Sequence, residues 1–251
     1  MARPQQREAG LGPNRTGIAT SPKQIEKMLA GMDSKLATPT SEGDERAIAQ
    51  MRSQYIETAE PVGSMPPPAT LKGAARTAAK ALKGERPQLF LDKLGERLAF
   101  ERTGTRLYDA FIAKCRTQQP EGIDDARLVE IRNEEARHFA LVAQCIESLG
   151  GDPTAQTPCA DVAGVASSGL MQVVTDPKTT VAQSLQALLI AELTDNAAWE
   201  DLITLAEKMG NEDMAAQFQD ALRHEEGHLA TVRQWHDDLL TVESDLVKTK
   251  A

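Results

Sequence analysis

The chain has 251 residues, a net charge of −9 and 4 % aromatic residues. This length suits one domain of ordinary size with extensions, and the acidic balance argues against binding of nucleic acid through bulk positive charge. Its three cysteines form no C-x-x-C pair, so neither a zinc ribbon nor a rubredoxin-type iron site is predicted. Without a signal-like start or an apolar run of about 18 residues, we expect a soluble, cytoplasmic protein with no membrane partner.

Residues 1–86 form an N-terminal extension that is rich in proline and has no sustained apolar period. Short helices are predicted at 21–30, 44–59 and 69–83. Two interpretations stay open, a flexible or loosely docked arm and an arm that packs on a neighbouring subunit or targets a larger assembly. We expect a homodimer or a larger homo-oligomer.

Four long helices are predicted in residues 87–245. They should run from Pro87 to about residue 116, from about 123 to 149, from the cap at Thr180 to a stop at Gly210, and from there to about Val242. Residues 150–179 read as a long connection with one short helix at 165–173. The two-residue turn at Gly210 makes the last two helices antiparallel neighbours, and the long connection suits two parallel helices.

The last predicted helix carries a Glu-x-x-His pair, Glu225 and His228, in the middle of a stripe that should face the core. A buried carboxylate needs a partner such as a proton, an opposite charge or a metal ion. The second helix repeats the pair in Glu135 and His138. Two such pairs on two helices favour a metal.

An internal duplication supports this interpretation. Glu101 precedes Glu135 by 135 − 101 = 34 positions, and Glu192 precedes Glu225 by 225 − 192 = 33. One Glu from each of two helices and Glu-x-x-His from each of the other two is the ligand set of di-iron and di-manganese four-helix bundles. The candidate metal ligands are Glu101, Glu135, His138, Glu192, Glu225 and His228.

Four carboxylates and two imidazoles favour two Fe ions, with Mn as the alternative, and their four negative charges would balance two divalent cations. Asp195 lies one turn after Glu192 and is either a seventh ligand or a hydrogen-bonding support. Tyr108 and Trp199 lie seven residues past Glu101 and Glu192. Core packing explains both, but Tyr108 is also a catalytic candidate that hydrogen-bonds a ligand carboxylate or donates an electron.

Glu134 and His224 precede the two Glu-x-x-His pairs by one position and match each other in the duplication. We interpret both as supports for the ligands. His224 also opens an H-E-x-x-H motif with His228, the pattern of zinc proteases. The duplicated copy has Glu134 where a first histidine is needed, so a zinc hydrolase is only a minor alternative.

With these motifs, residues 87–242 resemble the ferritin-like superfamily, particularly bacterioferritin and rubrerythrin. The resemblance implies an all-α, up-down-down-up four-helix bundle in which the six candidates bind the metals and Tyr108 lies beside them. Asp195 falls where rubrerythrins carry an additional glutamate. Ala136 replaces the haem-binding methionine of bacterioferritin, so no haem is expected, and without a rubredoxin module the electron donor stays unknown.

The leading hypothesis is a di-iron oxidoreductase, of ferroxidase or peroxidase type, that reacts with O2 or H2O2 and has a role in oxidative stress. Two alternatives remain. One is an iron-binding or storage subunit, acting as cargo of a shell, although the N-terminal arm and long connection argue against a 24-subunit storage shell. The other is a bundle whose metal site is a structural remnant.

Overall fold

The computed structural model describes residues 22–32, 45–70, 73 and 87–249. These residues form α-helices and no β-strand, which confirms the all-α prediction for this part of the chain. The helices are α1 Pro22–Met32, α2 Glu45–Thr58, α3 Pro87–Gln118, α4 Asp125–Ser148, α5 Pro158–Thr175, α6 Val181–Lys208 and α7 Glu212–Thr249.

The described residues divide into two compact units, one within Arg7–Pro61 and the other within Val62–Ala251. The first contains α1 and α2, which lie close to the ranges predicted at 21–30 and 44–59. All residues of α2, Glu45–Thr58, are described, and none of them is buried. The helix predicted at 69–83 lies mostly outside the described residues. In the second unit, the amide of Ala69 donates to the carbonyl of Gly150, so described residues upstream of 87 contact the bundle.

Helices α3, α4, α6 and α7 form a four-helix bundle. Short turns make α3 antiparallel to α4 and α6 antiparallel to α7. Arg97 contacts Asp195, whereas Lys114, further along α3, contacts Ser184 near the start of α6, so α3 and α6 also run antiparallel. Both α4 and α6 therefore run opposite to α3 and parallel to each other. This is the up-down-down-up ferritin-like arrangement, and the prediction is confirmed.

Helix α5 carries the chain along the bundle from α4 to α6 and packs against α3 and α6. The side chain of Asp92 accepts a hydrogen bond from the amide of Cys159, and Lys114 donates to the carbonyl of Asp176 at the other end. The helix predicted at 165–173 is observed, but it is longer and spans Pro158–Thr175. Thr157 caps the N-terminus of α5 and Pro158 occupies its first turn, a start signal that lies well upstream.

The predicted ends of the other bundle helices hold within a few residues, with one exception. Thr180 and Gln183 form the predicted capping box of α6. Gly210, with φ of 66°, lies in the turn that ends α6 and leads into α7. Helix α7 continues to Thr249 instead of ending near Val242. No glycine or proline interrupts the sequence after Gly227, so no chain-breaking residue stops the helix earlier.

The interior of the bundle consists of two apolar clusters. One contains Leu107, Phe111, Leu128, Ile131, Leu185, Leu188 and Val232. The other contains Phe90, Leu94, Leu98, Val142, Trp199, Leu202 and Phe218. On α4, α6 and α7 the candidate ligands lie between the residues of one cluster and those of the other, and Glu101 on α3 lies between Leu98 of the second cluster and Leu107 of the first. The apolar side chains thus enclose a layer of charge at mid-bundle.

Candidate metal centre

All six candidate ligands lie in this charged layer, and each is at most 4 % exposed. Two groups of them place their ligand atoms within 4.8 Å of one another: Glu135, Glu192, Glu225 and His228 in the first, and Glu101, His138 and Glu225 in the second. Glu225 belongs to both groups. A third group joins Glu101, Glu135, Asp195 and Glu225. The three groups overlap, because Glu225 belongs to all of them and Glu101 and Glu135 belong to two each, and the two groups that contain a histidine are the candidate positions for cations.

The helical period explains why four helices deliver these side chains to one layer. Glu225 and His228 are three residues apart on α7, and the same spacing on α4 directs Glu135 and His138 to one side of that helix. Nδ1 of His138 lies 2.5 Å from Oε1 of Glu225. Nδ1 of His228 lies 3.0 Å from Oε2 of Glu225 and 3.3 Å from Oε1 of Glu135. Both imidazoles thus present Nδ1 to the carboxylates.

Gly104 makes room for one of the shared carboxylates. It lies on α3 opposite Glu135, and a Cβ atom at this position would collide with the Glu135 carboxylate. Glycine in a helix interior costs about 1 kcal/mol relative to alanine. The close approach of Glu135 is the structural reason for this glycine.

The buried carboxylates repel one another and lack the solvation of water. Burial, reinforced by Asp195, raises the pKa of Glu101 well above its ordinary value, and burial with Glu135 and Glu225 does the same for Glu192. Oε2 of Glu101, Glu135 and Glu192 has no hydrogen-bond partner among the described residues. Unpartnered buried oxygen atoms of this kind fit divalent cations. A cation would coordinate the oxygens that lack hydrogen-bond partners, and its positive charge would offset the repulsion between the carboxylates.

The charges of Glu225 and His228 are instead stabilised by mutual contacts. Burial opposes ionisation of Glu225, but hydrogen bonds with His138 and His228 outweigh it and lower its pKa to about 2. Burial likewise opposes protonation of His228, but hydrogen bonds with Glu135 and Glu225 raise its pKa to about 12. A proton on His228 thus partly neutralises the cluster, and a cation would have to displace it.

Arg97 is a buried charge that the sequence interpretation missed. It is 1 % exposed, with Nε 3.0 Å from Oε1 of Glu101 and Nη1 2.6 Å from Oδ1 of Asp195. The guanidinium stacks 4.6 Å from the ring of Phe100. A signal was present, because Arg97 lies one helical turn before Glu101 and thus on the same side of α3. Asp195 belongs to one of the cation-sized groups and also forms this ion pair with Arg97.

Tyr108 contacts a candidate ligand directly. It is 1 % exposed, and its hydroxyl donates a hydrogen bond to Oε1 of Glu192. Burial, followed by the charge of Glu192, raises the pKa of Tyr108 well above its ordinary value and keeps the hydroxyl protonated. Trp199 packs against His138, with ring centroids 5.6 Å apart, and against Phe218 in the apolar cluster. Tyr108 is therefore a hydrogen-bond donor to the centre, whereas Trp199 is one of its walls.

Glu134 and His224 lie on the outer side of the two histidines. Oε2 of Glu134 is 2.8 Å from Nε2 of His228, and Nδ1 of His224 is 3.3 Å from Nε2 of His138. No cation-sized group in the described residues combines His224 with His228. His224 is exposed and stacks on His138, which leaves the H-E-x-x-H zinc site without support from the geometry.

The four-helix bundle is also the part of the chain that matches a known protein family. A family described as a domain of unknown function, DUF892, matches residues 86–243. The chain belongs to the DUF892 family. The matched DUF892 region spans α3 to α7 almost completely and includes all six candidate ligands. None of the described helices, in the DUF892 region or before it, is long and apolar enough to cross a membrane.

The DUF892 chain is also similar to a solved structure titled "Crystal structure of ferritin like, diiron-carboxylate proteins from Bacillus anthracis str. Ames". The two share 17 % sequence identity with a TM-score of 0.47, over 59 % of this chain and 96 % of that chain. No curated protein matches.

Proposed function

We propose that the DUF892 domain of this chain is a dinuclear metal-dependent oxidoreductase that reacts with O2 or H2O2. The observation that carries the proposal is the convergence of six buried side chains from four helices on two adjacent cation-sized positions. Residue type argues for iron, with manganese as the alternative, because the set is rich in carboxylate oxygens and contains two imidazoles and no thiolate.

Each ligand has a distinct task in this proposal. Glu101 and His138 would hold one ion, Glu192 and His228 would hold the other, and Glu135 and Glu225 would be available to either ion, because each belongs to more than one cation-sized group. Two redox-active ions bound there would supply the two electrons that, with two protons, reduce one H2O2 to two water molecules. The four glutamates carry four negative charges, which match two divalent cations, so a loaded centre is nearly neutral inside the apolar bundle.

The burial of the centre favours a small reactant over a bulky organic substrate. Each ligand is at most 4 % exposed, and the apolar clusters enclose the layer on both sides. Two cavities, of about 290 and 230 Å³, are lined by other residues, around Cys115 and around Pro67. O2 and H2O2 are small enough to reach such a site through thermal fluctuations of the packing, whereas a large substrate is not.

Tyr108 orients Glu192 in this proposal by donating its hydroxyl hydrogen to one carboxylate oxygen. This leaves the other oxygen, which has no hydrogen-bond partner among the described residues, for the metal. Arg97 balances Asp195 in the same layer, so that the fifth carboxylate adds no uncompensated charge.

The test combines metal analysis with rapid kinetics. Protein loaded anaerobically with Fe(II) should hold about two ions per chain and develop ferric absorbance when mixed with O2 or with H2O2 in a stopped-flow instrument. Faster development with peroxide favours peroxidase chemistry, and faster development with O2 favours ferroxidase chemistry. Glu192→Ala should lose the reaction, whereas Glu200→Ala, on the exposed side of α6, should keep it. A wild-type protein that binds neither iron nor manganese refutes the proposal.

A further inference from the structure

Glu134 and His224, which contact the outer nitrogens of His228 and His138 and are called their supports, occupy matching positions in the duplication but differ in chemistry. Residues 134 and 224 each precede a shared glutamate, and each reaches across the bundle to the histidine of the other helix. Glu134 on α4 contacts His228 on α7, with 2.8 Å between Oε2 and Nε2. His224 on α7 contacts His138 on α4, with 3.3 Å between Nδ1 and Nε2. One histidine therefore rests on a carboxylate and the other on an imidazole.

These contacts involve the nitrogen that faces away from the centre. In both histidines, Nδ1 faces the candidate bridging carboxylate Glu225, and Nε2 faces the outer partner. An ionised carboxylate only accepts hydrogen bonds, so the contact with Glu134 keeps a proton on Nε2 of His228, and a cation that displaces the Nδ1 proton meets a lone pair directed inward. Imidazole can donate or accept, so His224 imposes no such preference on His138.

The surroundings of the two supports strengthen the difference. Glu134 is 8 % exposed and lies 3.4 Å from a guanidinium nitrogen of Arg127 and of Arg137. These cations and the buried position hold its carboxylate against His228. His224 is exposed to solvent and stacks on His138 with ring centroids 5.6 Å apart. A carboxylate behind a metal-binding histidine makes the imidazole a stronger ligand and fixes its orientation.

We infer that the two metal positions are inequivalent and that the position completed by His228 binds its ion more tightly than the position completed by His138. This inference rests on the proposed function, which requires that the centre bind two ions. The structural cause is the exchange of a carboxylate for an imidazole at one of two duplicated positions. Partners of this kind typically change metal affinity by about 10- to 100-fold.

The experiment uses full-length protein in which only one histidine remains. His138→Ala retains the His228 position, and His228→Ala retains the His138 position. Titration with Co2+, followed by calorimetry and by the visible absorbance of bound cobalt, measures the affinity of each. His138→Ala should bind its ion about tenfold or more tightly than His228→Ala does.

Substitution of the supports then assigns the cause. Glu134→Gln should weaken Co2+ binding about 10- to 100-fold in the His138→Ala protein and leave the His228→Ala protein unchanged. Conversely, His224→Glu should tighten binding in the His228→Ala protein and change the His138→Ala protein less. Position 224 is exposed, so this substitution should not disturb folding. Glu147→Gln, on the exposed side of α4, is the control for lost surface charge.

Equal affinities of the two single-histidine proteins, or equal effects of His224→Glu on both, overturn the inference. Wild-type protein titrated in parallel separates this result from failure of the proposed function. If the wild type binds two ions of Co2+ while the single-histidine proteins do not differ, only the inequivalence is wrong. If the wild type binds none, the proposed function and the inference both fail.

Discussion

Arg97 and Asp195 form an ion pair inside the bundle, with 2.6 Å between Nη1 and Oδ1 and side chains that are 1 % and 3 % exposed. The pair joins α3 to α6 across the charged layer. Burial alone would lower the pKa of Arg97, but Asp195 and then Glu101 outweigh it and raise that pKa, so the guanidinium stays charged. The pair accounts for a fifth carboxylate that two divalent cations and four glutamates do not need.

Removal of this guanidinium should destabilise the metal-free protein strongly. Arg97→Met leaves Asp195 and Glu101 without their counter-charge, and breaking a buried pair in this way costs about 3–5 kcal/mol. Urea unfolding monitored by circular dichroism measures the loss. Arg116→Met is the control, because Arg116 pairs with Asp125 where both side chains are more than half exposed, and it should leave the unfolding midpoint close to that of the wild type. Equal effects of the two substitutions would contradict the structural role of Arg97.

Alanine at position 104 should disrupt the centre although it favours helix formation. Its Cβ would displace the Glu135 carboxylate, so Gly104→Ala should lower metal affinity by about tenfold or more, as measured by Co2+ titration. Gly227→Ala is a close control, because a Cβ there meets only Arg127 at an ordinary 3.7 Å. That substitution should stabilise α7 by roughly 1 kcal/mol and keep the affinity. Unchanged affinity in Gly104→Ala would show that the close approach of Glu135 is unimportant for binding.

Loss of the Tyr108 hydroxyl should slow the reaction without preventing metal binding. Tyr108→Phe keeps the ring in the core but removes the hydrogen bond to Glu192. We expect the rate of Fe(II) oxidation to fall about 10- to 100-fold in stopped-flow absorbance, while the iron content stays near that of the wild type. The other tyrosine, Tyr55, is 70 % exposed on α2, so Tyr55→Phe should react at the wild-type rate. A wild-type rate in Tyr108→Phe would leave the residue with a packing role only.

The stability of the metal-free protein should fall as the pH rises from about 5 to 9. Burial raises the pKa of Glu101 and Glu192 in the folded state, so their contribution is fully present below the unfolded pKa of about 4.5 and is lost as pH rises through the folded pKa. The contribution of His228 is present below about 6.5 and is lost as pH rises toward its folded pKa of about 12. Glu225, with its pKa lowered to about 2, contributes throughout this range.

Bound cations should reverse that trend, because they favour the deprotonated ligands and replace the missing positive charge. The measurement is the melting temperature by differential scanning calorimetry at several pH values, with EDTA and with Mn2+. The difference between the two curves should widen with pH. Curves that remain parallel from pH 5 to 9 would contradict the assignment of these residues to a cation site.

Local residue patterns sufficed to predict most of the fold. The spacing of three and four residues on each stripe identifies the helices and the side of each that faces inward, because helical periodicity depends only on neighbours within two turns. The capping box at Thr180 and the turn at Gly210 are equally local, and both are observed. The six candidate ligands were predicted as one set because a duplication repeats a rare pattern, and their roles as ligands stay predictions.

Other features depended on which helices meet and at what depth. The contact of Arg97 with Asp195 joins residues far apart in the sequence, and helical period alone does not say which residues of α3 and α6 lie at the same level. The same holds for the contacts between α4 and α7. Glu134 contacts His228, and His224 contacts His138, only because these two helices lie side by side and antiparallel. Sequence by itself determined which side chains face inward; tertiary structure decided which of them touch, because contact distances arise from helix packing and not from the period of any single helix.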